Sequence, residues 1–323
     1  MKKVIILILI LISLIFSIRF AIYSAISQIK HAEIDKTDEA LGINEVPEQH
    51  EKAQHKGYLD KKRQDIVNIM LFGLDGRQYG SNSRSDTMMI LTVDFKNNKI
   101  KLSSLMRDMY VDIEGYGKTK LNHAYAYGGA PLALKTINQN FGTDIRDYAM
   151  ANFLTFEKIV DVLGGVTVDI KEDEIPYINE NLNCNTSDIT NSGKQLLNGN
   201  QAVSYARIRY LGNGDFDRTN RQRKIITEII DKTKGKGVKA VPNLISEVLP
   251  LVETSMDKQT ILNLAIDFYM AGDMKLEQER FPVDGYCWNY MNHGIYYLKF
   301  DTESTKKQLN DFIYYDTKPI AKK

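Results

Sequence analysis

The sequence predicts an α/β domain carried outside a membrane by an N-terminal transmembrane helix, and three observations lead there. The chain opens on an apolar run long enough to span a bilayer. Short apolar stretches of strand length recur from Ile66 onward, and amphipathic segments at helical spacing are interleaved with them. With 43% apolar and 26% charged residues, 21 Gly and 7 Pro among 323 residues, the chain can bury a large core, which excludes collagen-like, mucin-like and disordered classes. Lys plus Arg (42) against Asp plus Glu (41) leaves +1, so a wholesale polyanion binder is excluded and any special charge must be local.

Residues 1–3 form a cytoplasmic stub, and Lys2 and Lys3 favour an N-terminus that stays inside. At about 1.5 Å per residue, residues 4–26 cross a hydrocarbon core of roughly 30 Å, and Arg19 can snorkel to the outer interface. The expected location is therefore the cell membrane, single-pass type II, with the remainder on the extracytoplasmic face. A signal peptide cleaved near Ala25-Ile26-Ser27 is the alternative, and it exports the domain equally. Residues 27–64 are polar and charge-mixed without a sustained apolar period, and read as a stalk.

The domain is expected over residues 65–318. Ile66–Leu74, Met88–Val93 and Lys99–Leu105 read as strands. Pro131 suits the first turn of a helix running to Asn140, and Leu154–Leu163 is a helix closed by Gly164-Gly165. Val166–Ile170 is a further strand, and the Asn-rich stretch from Lys171 to Asn200 reads as an irregular surface excursion. Asn198–Ala206 and Arg218–Lys234 read as helices, the second striped by Ile225, Ile226, Ile229 and Ile230. Helix continues to Met270, strands fall near Lys275–Phe281 and Gly294–Phe300, a closing helix follows, and residues 319–323 are a tail.

Several chemistries lose support. There is no HExxH, GxSxG or GxGxxG opening a helix, and Gly117-Lys118-Thr119 lacks the upstream P-loop glycine, where Asp112 stands. Cys184 and Cys287 cannot form a four-thiolate zinc site or a CxxC pair. Export permits a disulfide between them; two unpaired thiols is the simpler reading. His123 fits a structural hydrogen bond.

Two carboxylates are better placed. Asp75 ends the first strand and Asp86 begins the second, so pairing of those strands brings both to one end of the sheet. Magnesium takes one or two carboxylates plus waters and phosphate oxygens, which this pair could supply. Turn residues with no ligand is the competing reading. Arg84 and Arg107 fall near the same sheet end, Arg207 and Arg209 would project to one side of an extended stretch, and Arg218, Arg221 and Gln222 share a helical face. From Val203 through Lys224 there are six basic and two acidic residues, a local +4 in a nearly neutral chain. Forked guanidinium groups beside a divalent cation suit a diphosphate from which a phosphoryl group is transferred. A solvated basic helix face is the alternative, while nucleic acid fits poorly with export and a neutral chain.

Taken together, Asn68–Asp75, Arg84-Ser85-Asp86-Thr87-Met88-Met89, Met106-Arg107-Asp108, Lys120–Gly129 and the Arg207/Arg209/Arg218/Gln222 block resemble the LytR-CpsA-Psr (LCP) family, over about Ile66 to Ile230. The resemblance implies a central mixed β-sheet flanked by helices, with a hydrophobic tunnel for a polyprenyl chain. It implies an enzyme of Gram-positive envelopes that moves a glycopolymer, such as teichoic acid or capsular polysaccharide, from an undecaprenyl-pyrophosphate carrier to peptidoglycan. By motif, Asp75 and Asp86 would hold Mg2+, and Arg84, Arg107, Arg207, Arg209, Arg218 and Gln222 the pyrophosphate, with Lys120 a further candidate. Asp75, Arg107, Arg209 and Arg218 would act in catalysis, and water in place of the acceptor would give slow pyrophosphate hydrolysis. A non-catalytic sensor or scaffold that binds polyprenyl pyrophosphate is the alternative. Neither the oligomeric state nor the polymer transferred is legible.

Overall fold

Alternating burial along the strands sets the layers of the molecule. The computed structural model describes residues 29–44, 65–74, 85–235 and 247–322. The expected span at 4–26, the outer stalk, and the loop bearing Asp75 and Arg84 lie outside the described residues. Among the described residues no helix is long and apolar enough to cross a membrane.

The chain begins with a two-residue strand β1 (Lys30–His31) and a single-turn helix α1 (Asp38–Leu41). Strands β2 (Ile66–Leu74), β3 (Ser85–Asp94), β4 (Lys99–Leu105), β5 (Tyr110–Ile113) and β6 (Gly117–Lys120) lead into helix α2 (Leu121–Phe141). Next come β7 (Asp147–Asn152), α3 (Phe153–Val162), β8 (Val166–Ile170), α4 (Ile175–Asn179), β9 (Gly193–Leu197), α5 (Gly199–Arg207) and α6 (Asp215–Gly235). The C-terminal part holds β10 (Glu253–Thr254), α7 (Lys258–Ala271), β11 (Lys275–Phe281), β12 (Cys287–Asn292), β13 (Ile295–Phe300) and α8 (Thr302–Tyr314).

Seven strands form one sheet in the order β1-β10-β7-β2-β3-β4-β11. The β2/β7 and β4/β11 pairs are parallel and the β2/β3 and β3/β4 pairs antiparallel, so the sheet is mixed, as expected. Both its faces are covered, which is why β2 reads as a continuous apolar run rather than an alternating one. Met70, Phe72 and Leu74 enter the main core with Leu134, Ile137 and Phe141 of α2 and Phe312 and Ile313 of α8. Each such side chain contributes roughly 1.5–3 kcal/mol by leaving water. On the opposite face Leu71 and Gly73 of β2 lie level with Ala149 and Ala151 of β7 and stay only partly buried. A second core gathers Val160 of α3, Val168 of β8, Leu197 of β9, Tyr205 of α5 and Ile225 of α6.

The structure corrects the sequence reading in several places. Residues 29–44 are not a free stalk: Leu41 and Ile43 are buried in the main core, and Asn138 Nδ2 donates to Leu41 O at 2.9 Å. The helix expected from Pro131 has an earlier half beginning at Leu121, broken at Gly128-Gly129, where Gly129 takes φ 65°; Pro131 then sits in the first turn after the break. The 171–200 excursion is partly regular, because β9 pairs with β8 and Asn179 bonds both the N–H and the carbonyl of Ile189. Cys184 and Cys287 are unpaired thiols, in line with the simpler expectation. The tail from residue 319 lies against the domain, with Lys322 N–H donating to Asp284 O at 3.0 Å.

Candidate active site

Local backbone devices aim the charged groups. Along β2 and β3 the register holds from Ile66↔Asp94 to Gly73↔Thr87 and then slips to Leu74↔Ser85, leaving Asp86 as the extra residue of a bulge. Bulges redirect a side chain, and here the carboxylate leaves the ladder for the end of the sheet. A Cβ at Gly73 would lie 2.8 Å from Thr87 Cβ, so only glycine fits beside that bulge. Arg107 follows β4 in a turn whose carbonyl accepts from Asn122 N–H at 3.1 Å, which fixes it against the start of α2. Helix α6 begins at Asp215, three residues before the expected start, because Gly214 O accepts from Arg218 N–H and Asn213 N–H donates to Asp217 Oδ2. Acidic residues in its first turn also oppose the helix dipole.

These devices converge on one cluster. Arg107 Nη1 donates to Asp86 Oδ1, and Arg107 Nη2 lies 3.3 Å from Asp215 Oδ1. Arg218 Nη2 lies 2.8 Å from the same Asp215 oxygen and donates to Asp86 O at 3.2 Å, and Nη1 stands 3.8 Å from Asp86 Oδ2. The distances are ionic, but the geometry leaves hydrogen-bonding capacity over. Among the described residues, Arg107 Nε, Arg218 Nε and both Asp215 carboxylate oxygens are buried without an aligned hydrogen-bond partner. The two arginines respond in opposite directions. Burial disfavours the Arg107 charge, yet Asp215, Asp86 and Asp108 outweigh it and hold that guanidinium above its ordinary value. Arg218 is drawn below its ordinary value by burial, and by repulsion from Arg107 and Arg209, despite Asp215 and Asp86. Arg218 is the less compensated of the two cations.

Two members of the cluster, Asp86 and Arg218, line a cavity of about 560 Å³, and Arg107 and Asp215 stand behind them. Its floor is Leu71, Gly73, Ala149 and Ala151, where three small residues leave room under α3, α5 and α6; Phe153, Phe156, Ile159, Val203, Ile226 and Ile229 supply apolar walls. Asp86, Arg207, Arg209, Arg218 and Gln222 supply its polar end. The expected extended path for Arg207 and Arg209 is corrected: α5 runs to Arg207, started by an Asn198/Gln201 capping box, and the chain leaves the helix only at Ile208. Both side chains are exposed and neither makes an ion pair among the described residues; Arg207 stacks 4.9 Å from the centroid of Phe153.

Arg221 does not share this face. Its Nε donates to Glu174 Oε1 at 2.7 Å, inside the second core. Lys120 lies beyond the cavity lining, donating to Asp108 Oδ1 at 2.6 Å. His123 Nδ1 is 2.8 Å from Thr119 Oγ1, the structural role expected of it. Asp215 is the member that sequence reasoning passed over; its spacing of three from Arg218 was the available signal. Among the described residues no three His, Cys, Asp or Glu side chains could hold a metal ion by themselves. Asp86 at the cavity end is nonetheless a hard oxygen donor of the type that Mg2+ takes beside phosphate oxygens.

A largely apolar cavity thus meets paired guanidinium and carboxylate groups at Asp86 and Arg218. Comparison with known proteins gives the family. The LytR_cpsA_psr family model matches residues 25–313, and the chain belongs to that family. It is 32% identical over 269 residues to polyisoprenyl-teichoic acid–peptidoglycan teichoic acid transferase TagU of Enterococcus faecalis, covering 79% of this chain and 84% of TagU. It is 31% identical over 256 residues to regulatory protein MsrR of Staphylococcus aureus, covering 78% of this chain and 76% of MsrR. A solved structure of TagT bound to LI-WTA superposes with a TM-score of 0.64 at 27% identity, over 77% of this chain and 91% of that one.

Proposed function

We propose that this chain is a magnesium-dependent phosphotransferase, anchored by residues 4–26, that moves a glycopolymer from an undecaprenyl-pyrophosphate carrier to peptidoglycan on the extracytoplasmic face. Teichoic acid and capsular polysaccharide are the polymer classes in view. The observation that carries the reading is an apolar cavity lined at its polar part by Asp86 and Arg218, which Arg107 and Asp215 pair with from behind, the two halves that a polyprenyl pyrophosphate requires. The name of TagU supports the reaction class.

The apolar walls take the prenyl chain and bring its phosphoanhydride to the arginines. A hydroxyl oxygen of the acceptor attacks the phosphorus that bears the glycopolymer, forming one P–O bond. The bond from that phosphorus to the bridging oxygen breaks, and lipid monophosphate departs with the electron pair. Arg107 and Arg218 offset the charge growing on the departing oxygen, in a buried setting where such stabilisation is strong. Arg207, Arg209 and Gln222 hold the outer phosphate oxygens at the cavity mouth, with Arg84 and Lys120 assigned the same task by motif. The hydroxyl proton passes to a carboxylate of the site, for which Asp75 is the candidate. Asp86 and Asp75 are the residues that would hold Mg2+, which when bound supplies further charge neutralisation at the phosphates. Water in the acceptor's place gives slow hydrolysis.

The test uses full-length protein with a polyprenyl-pyrophosphate-linked glycopolymer, peptidoglycan and Mg2+. Polymer joined to peptidoglycan with matching release of lipid monophosphate is expected, and Arg107→Ala should slow both about 10²–10³-fold. Tight donor binding without any monophosphate release would replace the transferase with a sensor.

A further inference from the structure

An in-line displacement requires its nucleophile on the side of the phosphorus opposite the leaving group. With the lipid in the cavity, the neighbours of Arg107 that do not line that cavity are where an acceptor would arrive. There a sequence of contacts runs outward. Arg107 Nε lies 3.7 Å from Asp108 Oδ2, and Asp108 Oδ1 accepts from Lys120 Nζ at 2.6 Å. The same ammonium stands 5.8 Å from the ring centroid of Tyr296 and 6.0 Å from that of Tyr297. Strand β13, which carries both tyrosines, is tied to the site by Leu298 N–H donating to Asp108 O at 2.8 Å. Asp108, Lys120 and Tyr296 do not line the cavity.

The β12–β13 hairpin stands apart from the seven-stranded sheet. Tyr296 lies directly opposite Met291, and its hydroxyl donates to Asn289 Oδ1 at 3.0 Å, so the three share one face. Tyr296 is half-buried, Asn289 is exposed and Met291 is 60% exposed, an unusual accessibility for a thioether on a strand. Burial, with the negative charges of Asp108, Cys287 and Asp215, raises the Tyr296 phenol above its ordinary value, so it stays neutral and adds no charge to the site.

We propose that this face, Tyr296 with Asn289 and Met291 beside Lys120, is the seat of the acceptor, and that it takes a peptidoglycan glycan strand. The inference rests on the transferase reading above. An aromatic ring and a thioether offer apolar surface to the C–H faces of sugar rings. The Asn289 amide, the phenol and the Lys120 ammonium offer hydrogen-bonding groups to hydroxyl and acetamido oxygens. Among the described residues this face carries no arginine cluster of its own, so it suits a polyhydroxylated chain better than a second phosphate. It also borders the cluster through Asp108, where a seated strand brings a hydroxyl to the phosphorus.

The experiment measures transfer kinetics of full-length protein with the donor saturating and soluble uncrosslinked glycan strands varied, alongside calorimetric titration of the strands alone. Tyr296→Ala should raise the acceptor KM and weaken strand binding about tenfold, with the donor KM and thermal midpoint unchanged. Tyr296→Phe should keep most of the effect of the ring, and Asn289→Ala should raise the acceptor KM about threefold. The exposed positions Asn289→Ala and Met291→Ser decide the matter if Tyr296→Ala fails to fold. Unchanged acceptor KM and strand affinity in the folded variants overturns the proposal. A wild type that transfers nothing sinks the transferase reading instead, while the titration still reports whether this face binds glycan.

Discussion

Arg218 and Arg221 stand three residues apart on α6 and are buried alike, at 3% and 6% exposure, yet their donors meet opposite fates. Arg221 is tied within the second core: Nε reaches Glu174, Nη1 donates to Ile208 O at 3.3 Å, and the guanidinium carbon sits 6.0 Å from the ring centroid of Tyr205. Arg218 shares Asp215 and Asp86 with Arg107, keeps an unpartnered Nε, and lines a cavity. Burial alone therefore does not mark a functional arginine. Unspent hydrogen-bonding capacity facing an open volume does, because a buried polar group left unsatisfied costs free energy until a ligand completes it.

The contrast can be broken by substitution. The largest expected effect is on stability at Arg221: Arg221→Ala strands the Glu174 carboxylate in the second core and should cost about 3–5 kcal/mol, read as a lowered denaturant midpoint, with the transfer rate per folded molecule unchanged. Arg218→Ala should slow transfer about 10²–10³-fold while lowering the midpoint less than Arg221→Ala does, since Arg107 remains beside both Asp86 and Asp215. Equal loss of stability in the two variants would erase the distinction. Gln222, one turn along the Arg218 face, offers only neutral hydrogen bonds, so Gln222→Ala should slow transfer about 3–10-fold.

The far end of the sheet gives the smallest effect and a control for the arginine contrast. Lys101 is fully buried and donates to Asp94 at 2.7 Å, and Asp316 receives both Lys99 and Lys101. Burial works against the Asp316 charge, but the two lysines prevail and hold its carboxyl below the ordinary value. A depressed folded value means that this stabilisation is present above the ordinary carboxylate range and lost as pH falls through the folded value. Asp316→Asn should therefore cost about 1 kcal/mol or less at neutral pH, and the gap to wild type in denaturant midpoint should close below about pH 4. Transfer should not change, because Asp94 and its lysine partners stand at the opposite end of β3 from Asp86.

The same physics separates what the sequence discloses from what it hides. β2, β3 and β4 are visible because strands buried on both faces demand apolar runs or strong alternation. β7 is central yet hidden, since in Asp147–Asn152 the Ala149 and Ala151 positions that floor the cavity carry no apolar signal. Leu41 and Ile43 are isolated apolar residues in a polar segment, with no period to betray their docking. In the site, Asp86, Arg107, Arg207, Arg209, Arg218 and Gln222 stand out as local charge and motif, and the structure brings them to one place. Asp215 hides because an acid at a helix start is an ordinary capping choice. Asp75 and Arg84 lie outside the described residues, and their placement beside Asp86 is part of the proposal.

Thermal unfolding of full-length protein with Mg2+, with and without a polyprenyl pyrophosphate, measures whether the Arg218 cluster is completed by a lipid-borne anion. At a hundredfold excess over Kd the ligand should stabilise wild type by about 2.7 kcal/mol, and Arg218→Ala should lose most of that gain. The same gain in Arg218→Ala, or none in wild type, would contradict the account.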